Sequence, residues 1–350
     1  MCATRKEGPG QAPPPLRVRD WLDNARGRNA FLDMLSLGLT SAGCEVGSAG
    51  PPWQKPDTDC DILLLHWLDS LFWDKKPKRI QAGRAFDLCR WILGLPKRVK
   101  LVWIVHNIEP HDVTPFQRAL WKMLVRIVAL RVDGILTLSP TTLDVVRAGI
   151  PALRRKPGLG VNHPAYPISV EAGARAEEVR RSTGVGPSDL LVGYAGMLRP
   201  YKGLESLAHA ASGPDAPHLL IAGLGDRDYA AMLQAAGNPE RMTIRRGRLD
   251  ETEFDAVLTA CDLVVAPFRR YLHSGSLVHA LSAGRPVLTP ASPFAAGLAA
   301  DVGSDWVRTY DGELTAEVLD RALVALPEGK PDLSAFSPET VGGPLTEWLR

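Results

Sequence analysis

The stretch WIVHNIEPHD, Trp103–Asp112, places His106, Glu109, His111 and Asp112 within seven positions. Histidine beside carboxylate is the pairing that takes a proton from a hydroxyl, because a general base must titrate near the working pH and reach its substrate. His106 and Asp112 are the candidates for that base. The loop lacks the two-histidine helical spacing of a zinc site; the plain alternative is a set of polar groups facing water. His66 closes the apolar run DILLL, but a lone histidine more often serves structure than chemistry.

Three further turns offer groups for an anion. In GMLRPYKG, Gly196 permits a tight turn and close backbone approach. Arg199 and Lys202 stand three apart there. Arginine makes bidentate contacts and lysine a point-charge contact, which suits a diphosphate. In LLIAGLGD, Gly223 and Gly225 form half of a dinucleotide fingerprint; position 228 is Asp, so the full G-x-G-x-x-G is missing and a plain turn is the alternative. In SGSLVHALSAGRPVL, Ser274, Gly275 and Ser276 precede a short helical stretch, Leu277–Ala283, with Gly284 as its stop. A serine at a helix start caps free N–H groups, and the same groups bind an anion. Capping by itself needs no ligand.

The elements that must position these turns are legible as short apolar runs alternating with helical stretches. Strands are expected at Cys44–Ser48, Asp61–Leu65, Lys100–Val105 and Gly134–Leu138. The second half repeats the plan at Leu190–Gly196, His218–Gly223, Met242–Gly247, Asp262–Pro267 and Pro286–Pro290. Ala30–Gly43 and Pro115–Val132 read as amphipathic helices. Strands apolar throughout are covered on both faces, and alternating strand and helix implies parallel sheets with right-handed crossovers. The expected fold class is α/β, with two Rossmann-like domains facing across a cleft. The expected domains are 1–165, 166–335 and a C-terminal tail, 336–350, packing back on the first domain. The boundary falls in GLGVNHPAYP, Gly158–Pro167, rich in Gly and Pro. Ligands of such sheets bind at the carboxyl ends of the strands, where all four turns lie.

The 350 residues carry a net charge of only +2, unevenly spread: residues 1–165 hold 24 Lys/Arg against 15 Asp/Glu. Asp74–Lys100 alone holds nine Lys/Arg against two Asp, and Phe116, Leu120, Met123, Ile127 and Leu130 recur at helical spacing beside Arg118, Lys122 and Arg126. Basic amphipathic helices bind anionic lipid surfaces; the alternative is a core-facing helix with a solvated rim. Five cysteines without Cys-x-x-Cys spacing argue against a disulfide framework and a structural zinc, and fit a reducing compartment. The N-terminal fifteen residues lack the apolar core of a signal peptide. The chain is expected in the cytoplasm, peripheral on the inner membrane face at most. Nucleic acid is excluded as a partner, because the basic region lacks interleaved aromatic surfaces.

Four segments in this order resemble the GT-B glycosyltransferases, specifically the C-terminal half of glycosyltransferase family 4 and its relatives: GMLRPYKG, LLIAGLGD, LDETEFDAVLTACDLVVAP and SGSLVHALSAGRPVL. The resemblance covers Leu190–Leu288 closely and Asp61–Ser139 more loosely. It implies a transferase moving a sugar from a UDP-, GDP- or dTDP-sugar to a sugar or lipid-linked hydroxyl acceptor, as in bacterial polysaccharide synthesis. Lys202 falls on the lysine that contacts the donor diphosphate. The arginine usual after the first glycine is Met197 here, with Arg199 as its substitute. The two glutamates of retaining members fall on Tyr271 and His279, neither acidic, so the resemblance leaves the anomeric outcome open and makes His279 a hydrogen-bond partner for ribose or sugar. The donor site so implied comprises Gly196, Arg199, Lys202, Gly223, Ser274, Gly275, Ser276 and His279. No metal or cofactor is implied, since the cationic side chains and the helix start take the metal's place. A non-catalytic sugar-nucleotide-binding protein fits the missing glutamates as well. A dinucleotide oxidoreductase needs the complete glycine fingerprint.

Overall fold

The computed structural model describes residues 14–22, 29–72, 78–111, 113–186 and 188–350. Strands β1 (Leu16–Trp21), β2 (Cys44–Gly50), β3 (Ile62–Leu65), β4 (Lys100–Ile104), β5 (Gly134–Thr137) and β6 (Gly158–Gly160) form one parallel sheet. Strands β7 (Leu191–Ala195), β8 (His218–Gly223), β9 (Met242–Arg246), β10 (Leu263–Val265), β11 (Val287–Pro290) and β12 (Val307–Tyr310) form the other. All nine expected strands are present. The sequence reading missed β1, β6 and β12.

The helices are α1 (Ala30–Ser41), α2 (Lys78–Leu93), α3 (Pro115–Arg131), α4 (Leu143–Gly149), α5 (Ala172–Ser182), α6 (Leu204–Ala210), α7 (Arg227–Ala236), α8 (Glu251–Ala260), α9 (Gly275–Ser282), α10 (Pro293–Val302), α11 (Ala316–Leu323) and α12 (Pro338–Leu349). They cover both faces of the sheets. That is why β3, β5 and β7 are buried at every position and why their sequences do not alternate.

Strand order is β2-β1-β3-β4-β5-β6 in the first sheet and β12-β11-β10-β7-β8-β9 in the second. Each order reverses once, between β1 and β3 and between β10 and β7. Crevices for ligands open at such reversals, outside the carboxyl ends of the strands. The chemistry-bearing turns gather at these two points.

The C-terminal helix α12 lies on α1. A Cβ on Gly38 would collide with the Pro338 carbonyl, and one on Gly342 with the Gly38 carbonyl, so the two backbones touch through glycines. Lys100 Nζ donates to the carbonyls of Leu349 and Arg350 at 3.3 and 3.0 Å, tying the chain end to β4.

Helix α3 buries Trp121, Leu124, Val125, Val128 and Ala129. The stripe singled out in the sequence instead leans outward, with Met123 46% and Leu130 77% exposed. On α2, Phe86 and Leu93 are 67% and 59% exposed. Residues 73–77, the head of the basic stretch, lie outside the described residues.

Candidate active site

The donor half is built at the β10/β7 reversal. Gly196 directly follows β7 with φ 149 and Gly223 ends β8 with φ 143, both conformations that favour glycine. A Cβ on Gly223 would collide with the Gly196 carbonyl oxygen, so the two turns meet backbone to backbone. Leu198 N–H donates to the Leu224 carbonyl at 2.8 Å, fixing the first turn against the second. Gly223 thus shapes the turn by close packing.

The tight turn after Arg199 carries Lys202 inward. Its Nζ sits 3.9 Å from the centroid of the Phe268 ring. No carboxylate pairs with it among the described residues, and burial lowers its pKa from 10.5 to about 8. A cation over an aromatic face gains on the order of 1–2 kcal/mol, which does not offset the several kcal/mol it costs to desolvate an ion. An anion placed beside Lys202 would. Arg199 is exposed at the rim of the same turn.

Ser274 caps α9 by accepting a hydrogen bond from Leu277 N–H at 3.3 Å. The N–H groups of Gly275 and Ser276 have no partner among the described residues. Over Gly275 lie the Tyr166 hydroxyl and His163 Nε2, 2.6 and 3.2 Å from where a Cβ would be. Glycine here keeps the helix start open to these two groups, which arrive on the linker that follows β6.

His279 is placed differently from the sequence expectation. Its Nε2 lies 2.6 Å from Asp255 Oδ1, and its ring stacks on Tyr166 with centroids 4.3 Å apart. The other Asp255 oxygen accepts from Ser169 N–H at 2.8 Å. His279 therefore anchors the linker to α8, and its Nε2 is already engaged.

The acceptor half lies at the β1/β3 reversal. His106 follows β4, and its Nε2 is 3.2 Å from His66 Nδ1. His66, fully buried after β3, places its Nε2 3.0 Å from Asp20 Oδ1 near the end of β1. Trp67 stacks on His106 with centroids 4.4 Å apart and planes 18° off parallel. Trp67 has φ 37, a left-handed backbone that bulky residues avoid; such strain persists where surrounding packing over-determines it. Burial first, then His66, His273 and His163, hold the His106 pKa well below 6.5. His106 is neutral at neutral pH, as a base must be. Asp112, the other candidate base, lies outside the described residues.

The two halves touch. Leu138 N–H, after β5, donates to His273 Nε2 at 3.2 Å, so that nitrogen carries the lone pair and Nδ1 the proton. Thr142 Oγ1 lies 2.7 Å from the same Nε2. His273 Nδ1 is buried without a hydrogen-bond partner among the described residues, and burial followed by His163 pushes the ring's pKa down to about 3. Asp20, His163, Tyr166 and His273 were not among the sequence candidates. The only signal for them was position, since each sits at a strand end or the linker.

Residues 189–320 match the family described as glycosyl transferases group 1. The GDP-mannose:glycolipid 4-beta-D-mannosyltransferase of Xanthomonas campestris pv. campestris is 28% identical over 291 residues, 78% of this chain and 75% of that protein. Among solved structures, Anabaena HepE bound to UDP and glucose is similar with a TM-score of 0.60 and 14% identity, covering 95% of each chain. Sucrose-phosphate synthase from Thermosynechococcus elongatus is similar with a TM-score of 0.62 and 14% identity, over 96% of this chain and 94% of that one. Residues 189–320 match the glycosyl transferases group 1 family, and the chain around them is a glycosyltransferase of the GT-B fold.

Proposed function

We propose that the protein transfers mannose from GDP-mannose to a glycolipid hydroxyl with inversion, without a metal ion. The observation that carries this reading is the half-buried ammonium of Lys202 on the turn between β7 and α6, which no carboxylate pairs among the described residues. A diphosphate there satisfies it, and the open N–H groups of Gly275 and Ser276 with the α9 dipole supply the remaining positive potential. Fixed donors of this kind stabilise charge as it develops on the leaving diphosphate, the task a metal performs elsewhere. Arg199 contacts the same phosphates from the rim.

The donor and acceptor classes rest on the mannosyltransferase similarity. Inversion rests on residue chemistry. Tyr271 and His279 stand where retaining relatives have glutamates, and Tyr271 is held by Ser292 Oγ at 2.8 Å. His106 then takes the acceptor proton. A lipid-borne acceptor fits the outward apolar residues of α2 and α3 among Arg79, Arg90, Arg118, Lys122 and Arg126, all exposed, because α3 starts directly after the loop that carries His106 and His111.

The test is incubation of the pure protein with GDP-mannose and a polyprenyl-diphosphate glycan, with the product linkage read by NMR. A β-mannosyl product is expected. An α-mannosyl product overturns inversion, and the absence of transfer from any nucleotide sugar overturns the reading itself.

A further inference from the structure

Asp20, His66 and His106 stand at the carboxyl ends of β1, β3 and β4, which are neighbours in the sheet. Their side chains form one line: Asp20 Oδ1 to His66 Nε2 at 3.0 Å, then His66 Nδ1 to His106 Nε2 at 3.2 Å. The protons in this line are constrained by chemistry. An ionised carboxylate only accepts, so His66 Nε2 carries a hydrogen and, in a neutral ring, His66 Nδ1 carries a lone pair. His106 Nε2 must then be the donor to it, since two lone pairs facing each other repel. The lone pair of His106 is left on Nδ1, which has no hydrogen-bond partner among the described residues.

We infer that Asp20 and His66 are positioning residues that hold His106 as the Nε2–H tautomer, with Nδ1 presented to the acceptor hydroxyl. The inference rests on the glycosyltransferase reading for its substrate and on the hydrogen-bond line for everything else. In the step, the acceptor oxygen bonds to the anomeric carbon as its proton moves to His106 Nδ1. The bond from the anomeric carbon to the diphosphate oxygen breaks, and its electron pair leaves with the nucleoside diphosphate. His106 becomes an imidazolium that still donates from Nε2 to His66, and the Asp20 carboxylate stabilises that charge through His66. Trp67, stacked on His106, and Phe31, whose ring meets it edge-on at 5.5 Å, keep the imidazole plane from turning.

Two readouts on the full chain test this. With nitrogen-15-labelled histidine, NMR of the wild-type protein is expected to show His66 and His106 both as Nε2–H tautomers. Asp20→Asn removes the negative charge that selects them, and the Nδ1–H tautomer of His106 is expected to become populated. Turnover with GDP-mannose should then fall about a hundredfold, within the range of general-base contributions, with donor KM changed less than about twofold. In a His106→Gln background the same substitution should cost nothing more. An unchanged His106 tautomer in Asp20→Asn overturns the inference, and so does an equal loss of turnover in both backgrounds. If Asp20→Asn does not fold, His66→Gln keeps one donor and one acceptor in the same order; a His106 that then loses the Nε2–H tautomer overturns the inference too. A wild-type protein inactive with every nucleotide sugar defeats the transferase reading, while the NMR arm still decides the hydrogen-bond line.

Discussion

His111 and Tyr201 stack face to face between the two domains, with ring centroids 4.1 Å apart and planes 4° off parallel. His111 ends the loop that begins with His106, and Tyr201 immediately precedes Lys202. One contact therefore joins the loop that carries His106, the proposed base, to the turn that carries Lys202. An aromatic pair contributes about 0.5–1.5 kcal/mol beyond its buried area. Replacing His111 with alanine is expected to raise donor KM about three- to tenfold and leave the melting temperature nearly unchanged. Unaltered steady-state kinetics in that variant would show that the stack does not help bring the two halves together.

Lys202 has opposite effects on binding and on stability. Its ammonium is partly desolvated and no carboxylate pairs with it among the described residues, and relief of such a charge by an apolar residue of similar shape stabilises a fold. Lys202→Met is expected to stabilise the ligand-free protein by about 1–2 kcal/mol, seen as a higher Tm. The same variant is expected to bind GDP at least a hundredfold more weakly. A less stable Lys202→Met protein would contradict the reading of this ammonium as an unsatisfied charge.

The pH dependence follows from two displaced pKa values. Lys202 in the folded protein loses its proton at about 8 instead of 10.5, because of burial. The proposed diphosphate contact needs the charged form, so donor affinity is expected to be full below about pH 8 and to fall about tenfold per unit above it. Between about 8 and 10.5 the unfolded chain holds a proton that the folded one lacks, so the stability of the ligand-free protein rises with pH across that window. On the acid side, burial and then His66, His273 and His163 depress His106, so kcat should stay flat through pH 6.5. A measured kcat that drops by half near pH 6.5 would remove His106 as the base.

Much of the sheet was legible because parallel strands covered on both faces are apolar at every position, as in β3, β5 and β7. β1 escaped because Arg17 and Arg19 interrupt it. They are tolerated because Arg17 reaches Asp59 and Arg19 reaches Glu45, each at 2.6 Å. β6 spans only three residues, two of them glycine, and reads as a joint. The donor turns were legible because glycine spacing and cation spacing are local. The line from Asp20 through His66 to His106 was not, since its members are 46 and 40 residues apart and only strand order brings them together. His66 had looked like an isolated structural histidine.

The outward faces of α2 and α3 lead to a binding prediction. Phe86, Leu93 and Leu130 stand exposed among basic side chains, each of which adds about 1 kcal/mol near an anionic surface. Among the described residues no helix is long and apolar enough to cross a membrane. The protein is expected to sediment with phosphatidylglycerol vesicles at low salt, to release as salt rises, and to lose binding in the Phe86→Asp, Leu130→Asp double variant. No sedimentation at low salt would contradict this docking face.

In the proposed complex the donor diphosphate rests on Lys202 and the start of α9. The most direct measurement is a crystal structure of the complex with GDP. Diphosphate oxygens are expected within about 3.2 Å of Lys202 Nζ and of the Gly275 or Ser276 backbone nitrogen, the ordinary reach of such hydrogen bonds. A diphosphate ordered elsewhere, with Lys202 still over the Phe268 and Tyr201 rings, would contradict it.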